Sequence, residues 1–162
     1  MTSQLFVKMA LDSWYTKIRE TNRLLEKITN DQLAHEVAPN RNRGTYLLGH
    51  LVAVHDRMIP LLDLGERLFP ELDEIYLDNP DKIKPQLLSA TELRQLWNDV
   101  NSILAEQFNI LTDQEWFQKH TAVSDEAFQK EPHRNRLNVL INRTNHLSYH
   151  QGQLVLIKGS EG

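Results

Sequence analysis

Apolar positions recur at helical intervals along this chain. Phe6, Ala10, Trp14, Ile18, Leu25 and Ile28 lie three, four or seven residues apart, which lines one face of a first helix. The stretch from Thr45 to about Ile59 repeats the pattern with Leu47, Leu48, Leu51, Val54 and Met58. Gly44 stands just ahead of it, and Pro60, which has no backbone donor, is expected to end or kink it. Leu93, Leu96, Trp97, Val100, Ile103, Leu104 and Leu111 draw the clearest amphipathic stripe, and Ser89 with Glu92 has the spacing of a capping box ahead of it. A fourth helix is expected from near Pro132 to Lys158, with Gly159 as its stop.

No segment shows strand alternation bounded by hairpin turn residues. Four long helices without a sheet predict an all-α four-helix bundle. A long connection, residues 65–88 with Pro70, Pro80 and Pro85, separates the second and third helices. Its length suggests a crossover, a lid or an insertion. Between the third and fourth helices, LTDQEWFQKH reads as a short capped helix starting at Thr112. No repeat or composition break divides the chain, so residues 1–162 are expected to form one domain.

Composition narrows the function. With 40% hydrophobic and 25% charged residues the chain has the make-up of a globular protein. A net charge of −4 argues against a nucleic-acid surface. No apolar run reaches membrane-spanning length, and Lys8 and Asp12 interrupt the first one where a signal peptide needs an apolar core, so a cytoplasmic location is expected. The absence of cysteine excludes disulfides, thiolate ligands and a cysteine nucleophile.

Chemistry is concentrated in histidine. His146 and His150 are four apart on the last helix and share a stripe with Val139, Arg143 and Ile157, opposite Asn138, Asn142, Asn145 and Tyr149. Buried imidazoles need partners, because each unsatisfied polar group costs about 1–3 kcal/mol. Taken alone, the pair favours the plainer reading of core histidines with hydrogen-bond partners. A third histidine shifts the balance. His50 lies little more than a turn into the second helix and His150 about two turns from the end of the fourth, so antiparallel helices would bring them together. His55, five residues on, points elsewhere and about 7 Å deeper along the axis, and reads as a surface or interface residue. Gly49 leaves room beside His50 for another backbone or a ligand. His35, His120 and His133 fall in connections and receive no role. There is no phosphate loop, no G-x-S-x-G, no HExxH and no Glu-x-x-His pair of a di-iron bundle.

With Gly49-His50-Leu51 and His146-Leu147-Ser148-Tyr149-His150-Gln151-Gly152-Gln153, the chain resembles the DinB/YfiT-like metalloenzymes over essentially its whole length. The resemblance implies a four-helix bundle of up-down-down-up order, three metal ligands in His50, His146 and His150, and a homodimer. Members with assigned activities are metal-dependent transferases or isomerases that use small thiols such as bacillithiol or mycothiol. The chain departs from the pattern at Gln151, where arginine is frequent, so a contact from that position to an anionic substrate or thiol would be missing here.

The expectation is a metal-dependent enzyme with one divalent ion, zinc or nickel first and iron or manganese after, on three neutral imidazoles with an open position. Its reaction would be a small-thiol-dependent S-transfer or a related transfer or isomerisation. The alternatives are a metal-activated hydrolase and a non-catalytic metal-binding stress or regulatory bundle. Arg57 and Arg143, on the ligand-bearing helices, are candidates to hold an anionic substrate, or else surface salt-bridging residues.

Overall fold

The structure, a computed structural model, describes residues 2–85 and 88–158, and of Lys158 only the backbone. The expected stop at Gly159 lies outside the described residues. Among the described residues there is no β-strand, only isolated bridges at Glu36–Arg43 and Lys119–Asn135, so the fold is all-α. Four helices are long: α1 (Thr2–Lys27), α3 (Gly44–Leu61), α5 (Ala90–Ile110) and α8 (Arg136–Lys158). Short ones join them: α2 (Asn30–Leu33), α4 (Asp73–Tyr76), α6 (Asp113–Trp116) and α7 (Asp125–Lys130). None of the described helices is long and apolar enough to cross a membrane.

In α1 the buried line runs through Val7, Trp14, Thr21 and Leu25 rather than through Phe6, which is exposed. A spacing of four advances 400° and drifts by about 40° per step, whereas a spacing of seven drifts by only about 20°. Over 26 residues the seven-residue series is the one that keeps facing the core. The capping boxes at Ser89–Glu92 and Thr112–Glu115 form as their spacing implies, and a further box at Thr29–Gln32 starts α2. Pro60 sits one residue before the end of α3. The last helix begins at Arg136, not near Pro132. Pro132 to Asn135 make a turn, in which the Asn135 side chain donates to the Pro132 carbonyl and accepts the backbone N–H of Asn138.

Helix α3 is buried on nearly every face, packing against both α5 and α8. Its start lies beside the end of α8, Gly44 against Ile157, and residues just beyond its end reach the start of α8, where Arg136 donates to Asp63. The two helices are therefore antiparallel. Trp14, Trp97 and Trp116 anchor the core.

The described part of the 65–88 connection is ordered, and charge pairs tie it to α3. Buried Asp56 accepts the Arg67 guanidinium and the backbone N–H groups of Leu68 and Phe69. Arg67 also grips Asp73, and Arg43 binds the nearly buried Asp81. These contacts hold a wall against α3, with Tyr76 of α4 buried in it.

Candidate metal centre

Three imidazoles from two helices meet near the α3 start and the α8 end. His50 Nε2 lies 3.1 Å from His146 Nε2, which lies 3.1 Å from His150 Nε2. The three ligand atoms all fall within 4.8 Å of one another, the one such cluster among the described residues. His146 and His150 lie one turn apart on α8 with their rings edge to face, and antiparallel packing brings His50 onto them.

The second ring nitrogens decide which tautomers are present. His50 Nδ1 is 2.8 Å from the Tyr76 carbonyl, which can only accept, so Nδ1 carries the proton and Nε2 keeps its lone pair. His150 Nδ1 donates in the same way to Gln153 Oε1 at 2.8 Å. Two unprotonated Nε2 atoms therefore face a third, His146 Nε2, which donates a proton to one of them in one tautomer and offers a third lone pair to a cation in the other. A tetrahedral ion at 2.0–2.1 Å from each nitrogen sets them about 3.3 Å apart, close to the spacing found. The donor set fits a divalent metal.

Electrostatics point the same way. Burial lowers the pKa of His50, His146 and His150, and for His146 the neighbouring His150 and His50 deepen the effect, to about 4. All three rings are neutral at pH 7 and free to ligate.

Two residues beyond the ligands shape the site. The Tyr76 ring lies against Gly49: a Cβ there would be 2.3 Å from Cε1 of the ring. Glycine thus lets the connection come close enough for the Tyr76 carbonyl to reach His50. The sequence hinted at such an approach but not at its partner. Gln153, legible only as part of a motif, holds His150. Gly152 has open space around it, and Gln151 lies near Glu20 of α1.

The two arginines part company. Arg57 is half-exposed and committed to Asp73, with Nη2 at 2.7 Å and Nε at 3.0 Å. Arg143 is half-buried, makes no ion pair among the described residues, and its buried Nε has no partner. Burial and then the charge of Arg57 lower its pKa, and its own charge lowers those of His50 and His146.

His55 corrects the surface reading. It is fully buried between Trp14 and Trp97, ring centroids 4.9 and 5.0 Å away. Because α3 has neighbours on nearly every side, pointing away from the ligand cluster still means pointing into the core. His35 and His133 are exposed and His120 is partly buried; none joins the cluster.

No family model matches the chain, and no curated protein does. The fold is shared with a crystal structure of the conserved protein of locus from Enterococcus faecalis, at a TM-score of 0.64 and 16% identity, over 94% of this chain and 96% of that one. At that identity the likeness speaks for the fold alone.

Proposed function

We propose that this chain is a metal-dependent enzyme of the DinB/YfiT-like kind, its long helices in up-down-down-up order. His50, His146 and His150 hold one divalent ion, zinc or nickel before iron or manganese. The observation that carries this reading is the convergence of three Nε2 atoms, two with their tautomer fixed by an acceptor on Nδ1. Three protein ligands leave a position open, as catalytic sites do and closed structural sites do not. A bound ion supplies Lewis acidity, lowering the pKa of a water or thiol at that position.

The ligand set is neutral and Arg143 adds a positive charge, so the site favours an anionic partner. Arg143 is the better placed of the two arginines to orient it, since Arg57 is engaged by Asp73. A chain without cysteine has no sulfur nucleophile of its own, so S-transfer here takes a small external thiol. The cytoplasm, where such thiols abound, suits that role. A homodimer belongs to the same reading, supported by exposed Leu5, Phe6 and Met9 on α1 and Ile141, Val155 and Leu156 on α8. Light scattering should then give twice the 18.9 kDa chain mass, and a monomer at micromolar concentration rejects the dimer.

The test of the chemistry is to titrate cobalt-substituted protein with bacillithiol, mycothiol, glutathione and cysteine. A sulfur-to-metal absorption band with at least one of them is expected. No band with any of them overturns thiol transfer and leaves a metal-activated hydrolase or a non-catalytic metal protein.

A further inference from the structure

Gln153 belongs to two sites at once. Its Oε1 takes the Nδ1–H of His150, and the same side chain lines a cleft of about 340 Å³ between the end of α8 and the loop that leads into α3. Val37, Asn40, Arg41, Asn42 and Leu156 also line it. That volume is at the small end of the range that holds small-molecule ligands. The Gln153 Nε2–H groups have no hydrogen-bond partner among the described residues.

The loop is tied down by its own bonds. The Val37 N–H donates to the Asn42 carbonyl at 3.0 Å, the Arg41 N–H to the Ala38 carbonyl at 3.0 Å, and the Asn40 N–H to Glu36 Oε2 at 2.7 Å. Glu36 is bound in turn by Lys82. On this frame the exposed Arg41 guanidinium makes no hydrogen bond or ion pair among the described residues. No acidic residue lines the cleft. The cavity at the far end of the bundle is the contrast: Asp63 and Glu115 line it beside Arg136, and Asp63 already binds that arginine. A free guanidinium with carboxamide donors and no competing carboxylate selects an anion. The planar fork of arginine matches a carboxylate best, while Val37 and Leu156 offer an apolar wall to its stem. A loop already fixed lowers the ordering cost of binding.

We propose that this cleft binds a small organic carboxylate, held by Arg41 and by the Nε2–H groups of Gln153, and that its occupant tightens the metal centre through Gln153. An acceptor on Gln153 Nε2 polarises the amide, so Oε1 accepts the His150 Nδ1–H more strongly. That in turn makes His150 Nε2 the more basic ligand. The coupling, though not the carboxylate site, rests on the metal reading of the three-histidine cluster. It is reciprocal: the ion raises the affinity for the carboxylate by the same factor.

Nitrogen-15 spectra of the full chain, titrated with hexanoate and with its neutral counterpart hexanamide, test the site. Hexanoate should shift the Arg41 Nε–H and the side-chain amides of Asn40, Asn42 and Gln153 saturably, and hexanamide should not. Arg41→Gln should weaken hexanoate about 10-fold. Hexanoate that moves none of these signals, binds no better than hexanamide, or binds Arg41→Gln as well as wild type overturns the proposal. Zinc-loaded wild type should bind hexanoate about 5-fold more tightly than metal-free wild type. Equal affinity in the two overturns the coupling. So does a zinc-loaded Arg41→Gln that holds hexanoate as tightly as zinc-loaded wild type, since the hexanoate is then on the ion. A chain that takes up no zinc, nickel or cobalt fails the metal reading, and hexanoate binding to metal-free protein still decides the cleft.

Discussion

His50 and His55 are the same side chain, five residues apart on one helix, and the fold treats them oppositely. At His50 the surroundings are another helix and a fixed connection: the Tyr76 carbonyl takes Nδ1–H, and Nε2 meets two more imidazoles at the surface-proximal end of the bundle. At His55 the surroundings are two tryptophans and an asparagine amide, and the ring is sealed in. In a helix buried on nearly every side, burial does not separate a ligand from a core histidine. The destination of the second ring nitrogen does. An oxygen on Nδ1 is common to both; what differs is whether Nε2 finds other lone pairs or none.

The strongest way to break the comparison is from the His55 side. Trp97→Ala removes one of the two rings that seal His55 and the Nε1–H bond to Asn22. It should cost about 3–5 kcal/mol of stability in chemical denaturation. A loss under about 1 kcal/mol would mean that the tryptophan pair is not what encloses His55.

Gly49→Ala attacks the other side. Its methyl would fall within the Tyr76 ring, so the ring and its carbonyl must shift away from His50. A loss of about 1–3 kcal/mol is expected from overpacking, together with weaker metal binding as His50 Nδ1 loses its acceptor. Unchanged zinc affinity in a destabilised variant would separate the Tyr76 carbonyl from the ligand's orientation.

Acid should distinguish the two residues in metal-free protein. Burial lowers the His55 pKa to about 3, against about 6.5 in an unfolded chain. Between those values the unfolded state binds the proton and the folded state does not. Stability is therefore whole above about pH 6.5 and falls as pH drops toward about 3, by up to ~1.4 kcal/mol per pH unit from this one group. His50, His146 and His150, also lowered, add slopes of the same sign. The denaturation midpoint of wild type should fall more steeply between pH 7 and 5 than that of His55→Leu. Parallel curves would show that His55 is not held neutral. The smallest effect is expected from Arg57→Ala, whose half-exposed pair with Asp73 is worth under about 1 kcal/mol. It should leave zinc affinity unchanged, while Arg143→Ala should weaken anion binding at the site.

The long helices and the His146–His150 pair were legible because both depend on local periodicity, apolar stripes at 3.6 residues per turn and an i, i+4 spacing, whereas His50 joined them through antiparallel packing and the family resemblance. What escaped depends on contacts distant in sequence. Phe6 fell off the buried face because a spacing of four drifts around a helix of 26 residues. The turn from Pro132 to Asn135 needed the Asn135 cap to be recognised as the true start of α8. Tyr76 sits in a proline-rich connection with no period of its own, so nothing local marked its carbonyl as the partner of His50. The burial of His55 depends on Trp14 and Trp97 approaching from other helices. Gly49 was the one residue whose type announced a close approach, without saying by what.

The claim that three Nε2 atoms form a metal centre is tested most directly by metal content per chain in untagged protein purified without chelator, for wild type beside His146→Ala and His55→Leu. One divalent ion per chain is expected in wild type. His146→Ala should have lost it, while His55→Leu, reloaded with excess zinc, should still take up one. A metal-free wild type that also takes up no added zinc, nickel or cobalt contradicts the account, and so does an ion that survives loss of His146.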